Sequence, residues 1–379
     1  MIKNIFLHIG IHKTASTTIQ NTLYLERSKL IETGVLYPAF KARNIDISNH
    51  SIPFYSLFNK HPEKYHFNVS HGFTTGEAIL QLHDEYRQQL QEQLAGFKGE
   101  TLVISGEDIS HLTTNELESL QLYLKDITHP AVNIKVVLIC RHPVSRFRSA
   151  LQGSVCAFGL SLEKATQYHL LRTYLYRNLA STFSGVFGRE NIYVMKYEDA
   201  VSHPFGPAGT FLSLIDNDLP DKIKPALLHD NPTRKYETFV LLNAINRTYP
   251  ETPDYDLHPE RMVGLNELFR DIPGQKFMLP KGLSKKVWEV LAEDVNWLCR
   301  KFSLPEYQFL DEDLNADADI WNKQTLIYLR NMLPGLSPEY RKTILHELLH
   351  NSIGRQHQIP VRKRINLMIL FLTQLKTTL

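Results

Sequence analysis

Short unbroken apolar runs alternate with stretches whose apolar residues recur every three or four positions, and this alternation governs residues 1–216. The runs at 5–9, 101–105, 135–140 and 192–197 carry no polar alternation, so they predict strands buried on both faces, as in a parallel sheet. Ile19, Leu23 and Leu30 share one helical face, and Tyr86, Leu90 and Leu94 do so within a helix predicted over 80–97. A further helix is expected over 115–126. Residues 163–187, with Tyr168, Leu171, Leu175 and Leu179, read as one long helix. Pro38, Pro53 and Pro62 interrupt the pattern, so 35–75 reads as irregular. Strands alternating with helices predict an α/β fold, a three-layer parallel β-sheet flanked by helices. Past 216 the strands stop. Residues 217–283 are proline-rich and read as irregular, and helices are expected over 285–302, 318–332, 338–350 and 361–375. The expected layout is an α/β core over 1–216 and a helical C-terminal extension over 217–379 packed on it.

Composition narrows the class. With 43% hydrophobic and 22% charged residues, the 379-residue chain has the make-up of a soluble globular protein with a sizeable core. A net charge of +2 leaves no global basic field, so nucleic acid is not an expected partner, while local anion sites stay open. Cys140, Cys156 and Cys299 show no disulfide or zinc spacing, and a reducing, cytoplasmic compartment is the expectation. The N-terminal apolar run is too short for a signal peptide, and no stretch reaches about 18 apolar residues, so no transmembrane helix is expected.

The chemistry begins at LHIGIHKTASTTIQ, residues 7–20, where a strand turns into a helix. Backbone N–H groups and the helix dipole favour an anion at such a turn. Gly10 permits a tight turn, Lys13 brings a point charge, and Thr14, Ser16, Thr17 and Thr18 bring hydroxyl donors. The nucleotide-triphosphatase pattern GxxxxGK[ST] fits poorly, because His12 stands where glycine should precede the lysine. HKTASTT instead resembles the 5′-phosphosulfate loop of sulfotransferases, whose usual form is Lys-[Ser/Thr]-Gly-Thr-Thr. Lys13, Thr14, Ala15, Ser16 and Thr17 occupy those positions. Ala15 in place of the glycine is the departure, and it predicts ordinary backbone angles there. Further along, KVVLICRHPVSRFRSALQ puts Arg141 directly after a strand and Ser149 eight positions on, the order in which this family holds its 3′-phosphate. Arginine suits that role through its planar fork, and Pro143 suits a helix start.

The resemblance, to bacterial carbohydrate-type members, implies a P-loop-like sulfotransferase fold and the donor 3′-phosphoadenosine 5′-phosphosulfate, with 3′,5′-ADP as product and no obligatory metal. The acceptor would be a hydroxyl of a glycan or other small hydroxylated molecule. His12, Lys13, Thr14, Ala15, Ser16, Thr17, Thr18, Arg141 and Ser149 would hold the donor, and Arg234 in NPTRKYE would add a late contact. Lys13 would stabilise the leaving phosphate. In the family a general base follows the strand before the arginine strand, which points to Glu107 in TLVISGEDIS. Asp108 is the fallback, and His111 and His50 are further candidates.

Other readings stay open. HELLH at 346–350 fits the zinc-protease pattern, which would make the chain a metallohydrolase. Its third ligand is missing: Gly354 and His357 fall one position out of register, and no acidic residue follows Glu347. A nucleotide-dependent kinase and a non-catalytic nucleotide-binding protein are two more alternatives. The tail over 361–379 has a basic start followed by apolar residues. It reads as a core or homodimer helix, with peripheral contact to an anionic membrane as the alternative.

Overall fold

A computed structural model describes residues 1–172, 175–228, 233–250, 262, 264–314 and 320–350. The expected helix over 361–375 lies outside the described residues. The chain forms two compact units that interleave along the sequence. The first comprises Met1–His142, Tyr174–Asp230 and Asp294–Glu306, and the second Pro143–Thr173, Asn231–Glu293 and Tyr307–Leu379.

The first unit is built on a five-stranded parallel sheet flanked by helices, the α/β fold expected from the apolar runs. Its strands are β1 (Asn4–His8), β2 (Val35–Leu36), β5 (Thr101–Ser105), β6 (Asn133–Cys140) and β7 (Ile192–Lys196), in the order β2-β5-β1-β6-β7. Between β2 and β5 a short antiparallel hairpin forms from β3 (Phe40–Ala42) and β4 (Ile45–Ile47). β1 is central: Asn4 to His8 pair with Thr101 to Ser105 on one side and with Asn133 to Val137 on the other. The chain leaves β1 toward β2 and leaves β6 toward β7, in opposite directions. The two loops therefore diverge above the β1/β6 pair, which is where open α/β sheets leave a crevice at the strand C-termini. Beneath lies a core of Phe6, Ile19, Leu23, Val103, Val137, Ile139 and Phe211. Truncating any of its leucines to alanine costs about 2–5 kcal/mol.

The second unit is helical. Its core gathers Val144, Phe147 and Leu151 of the Pro143–Cys156 helix, Phe239 and Leu242 of Tyr236–Thr248, and Leu329, Ile344 and Leu348. The helix Pro338–His350 forms over the residues expected.

Four expectations need correction. Residues 35–75 are structured: beside β2 and the hairpin they form a helix over Ser51–Phe58, with Pro53 in its first turn, where no N–H partner is lost. Residues 163–187 form two helices, Leu162–Leu170 and Leu175–Phe187. The second starts there because the Asp294 carboxylate accepts from the Tyr176 and Arg177 N–H groups at 2.7 and 3.0 Å. That cap comes from over a hundred residues away, beyond the reach of local pattern. Within 217–283, Tyr236–Thr248 is a helix buried on nearly every side. Its Glu237, Thr238, Asn243 and Asn246 are buried alongside the apolar residues, so no solvent-facing polar stripe marks the helix in the sequence. The helix expected from 318 begins at Lys323, where the Asn322 side chain caps Thr325 N–H at 3.0 Å.

Candidate active site

The loop after β1 carries two non-glycine residues in the left-handed region, Lys13 at φ 76° and Ala15 at φ 68°. Ordinary angles at Ala15 were expected. Instead Ala15 adopts the conformation that glycine takes freely, and bears the Cβ strain of doing so. Thr14 Oγ1 donates to Ile11 O at 2.5 Å and ties the turn together. The helix Ser16–Leu25 then begins with no side-chain cap, so its first N–H groups are available to an anion. Ser16 Oγ is buried and has no hydrogen-bond partner, and neither does His8 Nε2. Burial holds the His8 imidazole neutral, with its pKa lowered to about 3. Thr17 is exposed and Thr18 half-buried in the first helical turn.

Arg141, at the end of β6, reaches this loop. Its Nη1 donates to Lys13 O at 2.7 Å, and its guanidinium lies 4.1 Å from the centre of the Tyr197 ring. Its own N–H donates to Tyr176 Oη at 3.1 Å. So Arg141 grips the backbone of the strained residue and is itself held flat on an aromatic face. The Lys13 amine is pushed below its ordinary value, chiefly by burial; Glu107 opposes this and Arg141 adds to it.

Across from Lys13 stands the turn after β5, a 3₁₀ helix over Glu107–His111. Glu107 Oε1 lies 3.3 Å from His12 Nδ1, and Asp108 Oδ1 lies 3.4 Å from His12 Nε2. Hydrogen bonds that the ring donates to Asp108 first and Glu107 second lift the His12 pKa to about 9, so the ring is an imidazolium between two carboxylates at neutral pH. Burial pushes the Asp108 carboxyl up, but His12 and the Tyr65 hydroxyl, which donates to Oδ2 at 2.8 Å, outweigh it and hold the carboxyl low. The ring of His111 lies 5.8 Å from that of His12. Lys13, Arg141, His12 and Glu107 thus meet at the C-terminal edge of three adjacent strands.

His50 does not join them. It is wholly buried, stacked 4.1 Å from Tyr37. Its Nε2–H donates to Pro38 O at 2.8 Å, while Nδ1 accepts from Ser105 N–H at 3.2 Å. Burial lowers its pKa to about 3. With both nitrogens engaged in the core, His50 is a structural histidine, which corrects its expected catalytic role.

Ser149 and Arg234 belong to the second unit. Ser149 is half-buried on the Pro143–Cys156 helix. Arg234 stands 3.7 Å from Glu267 Oε1, an ion pair. Nearby in sequence, Ser145 Oγ donates to Glu312 Oε1 at 2.6 Å and Arg148 Nε lies 3.2 Å from Glu312 Oε2, so both are occupied within their own unit. In HELLH, the buried Glu347 pairs with Arg247 at 3.0 Å, which engages the carboxylate a zinc hydrolase would use as base; the His350 side chain lies outside the described residues.

Tyr65, Tyr176 and Tyr197 escaped the sequence reading. Tyr197 directly follows β7, so the strand-end rule that found Arg141 could have found it. No local signal marks Tyr65 or Tyr176.

Fold and site together define an α/β protein with a basic, anion-ready loop at the switch point of a parallel sheet. Among solved structures the chain is similar to a sulfotransferase from Alicyclobacillus acidocaldarius, with 15% identity, a TM-score of 0.38, and coverage of 80% of this chain and 97% of that one. It is also similar to the sulfotransferase domain from the curacin biosynthetic pathway, with 14% identity, a TM-score of 0.33, and coverage of 81% and 99%. No protein-family model and no curated protein matches the chain.

Proposed function

We propose that this chain moves a sulfuryl group from 3′-phosphoadenosine 5′-phosphosulfate to an acceptor hydroxyl. The observation that carries this reading is the contact of Arg141 Nη1 with the Lys13 carbonyl, which unites the two sequence motifs above the β1/β6 crevice. In this reading the uncapped N–H groups of Ser16–Leu25, with Ser16 and Thr17, receive the 5′-phosphate. The Lys13 amine neutralises charge on the oxygen that bridges phosphorus and sulfur, and Arg141 receives the 3′-phosphate. The acceptor oxygen attacks sulfur in line, the bond from sulfur to the bridging oxygen breaks, and 3′,5′-ADP leaves. Glu107 takes the acceptor proton. His12, held between Glu107 and Asp108, keeps that carboxylate in place beside Lys13. Like phosphoryl transfer, such a reaction depends on positioning and charge stabilisation more than on covalent catalysis. The proposed acceptor class, a carbohydrate, rests on the likeness of the HKT loop to glycan-directed enzymes.

Thermal unfolding with 3′,5′-ADP against ATP–magnesium tests the donor. A ligand bound only by the folded state at a hundred times its Kd adds about 2.7 kcal/mol of stability. Stabilisation by 3′,5′-ADP, lost in Arg141→Ala, is expected. Stabilisation by ATP–magnesium alone would point to a kinase. Donor-nucleotide binding without turnover on any glycan, unchanged by Lys13→Ala, would leave a non-catalytic binding protein.

A further inference from the structure

The turn that supplies Glu107 holds a second set of chemistry. In a 3₁₀ helix residues three apart eclipse one another, so Asp108 and His111 of Glu107–His111 lie on one face. His12, from the loop after β1, comes to the same face. One ligand atom from each of His12, Asp108 and His111 can be chosen so that all three lie within 4.8 Å of one another. We infer that these three side chains form a binding site for a divalent transition-metal ion of the zinc class.

The donor set is two imidazoles and one carboxylate, which suits zinc, cobalt or iron rather than magnesium or calcium. One pair already stands at the spacing of a tetrahedral ion, and all three ligand atoms lie within 4.8 Å. Ligand atoms about 2.0–2.1 Å from zinc stand about 3.3–3.4 Å from each other, and His12 Nε2 lies 3.4 Å from Asp108 Oδ1. The outer contacts are of the kind that metal ligands need. Metal-bound histidines give their other nitrogen to a carboxylate, and His12 Nδ1 faces Glu107 Oε1 at 3.3 Å. Asp108 is oriented twice more: its Oδ2 accepts from Tyr65 Oη at 2.8 Å, and its N–H donates to Ser51 Oγ at 2.9 Å. These partners hold Oδ2 and the backbone, and Oδ1 is the atom that faces His12 Nε2, between which an ion would sit. Three protein ligands leave a fourth position open. The His12 side chain is 44% exposed, so an ion has an entry path. In the metal-free protein His12 is the ion-paired imidazolium described above, so the ion binds in place of its Nε2 proton.

The site needs no donor nucleotide, so it stands apart from the sulfuryl-transfer reading. Where that reading also holds, two of the ligands, His12 and Asp108, are the chain neighbours of Lys13 and Glu107.

Chelator-treated full-length protein, dialysed against zinc and separately against cobalt, tests this. One ion per chain is expected, with the intense visible absorption of tetrahedral cobalt and no thiolate charge-transfer band. His111→Ala, at an exposed position, should keep the fold by circular dichroism and lose at least about tenfold in affinity, and Glu107→Gln should lose about 10–100-fold as an outer partner. No stoichiometric binding, binding undiminished in His111→Ala, or a thiolate band that moves the ion to a cysteine would each overturn the proposal. Stabilisation by 3′,5′-ADP, measured on the same metal-free samples, reports on the donor site independently.

Discussion

Gly10 is required by space. Its φ is not in the left-handed region, yet a β-carbon added there would stand 2.1 Å from Ser16 Oγ, 2.9 Å from His8 Nε2 and 3.0 Å from His8 Cε1. Ser16 Oγ has no hydrogen bond to lose, but it is buried, so it can turn away only at a cost. The His8 ring cannot: it is fully buried, bonded through Nδ1 to Ser105 Oγ at 2.8 Å and set 5.5 Å from the Phe211 ring. Overpacking of this kind costs about 1–3 kcal/mol, or about 2–4 °C in Tm for each kcal/mol in a domain of this size. Gly10→Ala should therefore unfold at lower urea with an unchanged m value. Ser16→Ala alone should be nearly neutral, because it removes a buried oxygen that bonds to nothing. In Gly10→Ala/Ser16→Ala the nearest clash is gone, and the cycle should show a favourable coupling of about 1 kcal/mol. In the proposed sulfuryl-transfer reading, displacing Ser16 from the first turn should also weaken 3′,5′-ADP binding in Gly10→Ala. A Gly10→Ala protein as stable as wild type, or a double variant no better than Gly10→Ala, would refute the close approach of β1 and the helix start.

Two further outcomes follow from strain and from burial. Ala15→Gly removes the left-handed Cβ strain, about 1–2 kcal/mol, against about 0.4–1 kcal/mol of added freedom in the unfolded chain. Net stabilisation is expected by chemical denaturation, and a net loss would contradict the φ of 68°. Burial raises the Glu237 carboxyl from 4.5 to about 7, so the folded state binds the extra proton and stability falls as pH rises across that interval, by about 3 kcal/mol in all. This destabilisation is absent below 4.5 and complete above about 7. Glu237→Gln should flatten that slope between the two pH values, and an unchanged slope would show that another group carries it.

Much of the first unit was legible in order along the chain. Four apolar runs became the long strands of the sheet, because a strand covered on both faces must be apolar throughout, and few other structures of that length are. The gathering of Lys13, Glu107 and Arg141 at one sheet edge was legible for a related reason, because each follows a strand of the parallel sheet at its C-terminal end. The same logic overlooked Tyr197 only because it was not applied to β7.

Local sequence could not say which partners these residues meet. HKTASTT determined a basic, hydroxyl-rich turn before a helix. Tertiary structure decided that Ala15 takes a glycine's conformation, since the Arg141 contact at Lys13 and the Thr14 tie hold the loop against the strain of a single methyl group. His50 and Glu107 were both polar residues near a predicted strand or loop. Only three-dimensional packing separates them: Tyr37 and Pro38 enclose the imidazole, while Glu107 stays at the sheet edge beside His12. The break after Leu170 has the same origin, for the carboxylate that starts the next helix is that of Asp294. Hydrophobic pattern sets which segments are buried, because burial is nearly independent of the partner. Caps, ion pairs and close approaches need two particular groups within about 3 Å, and which two meet is fixed only when the whole unit folds.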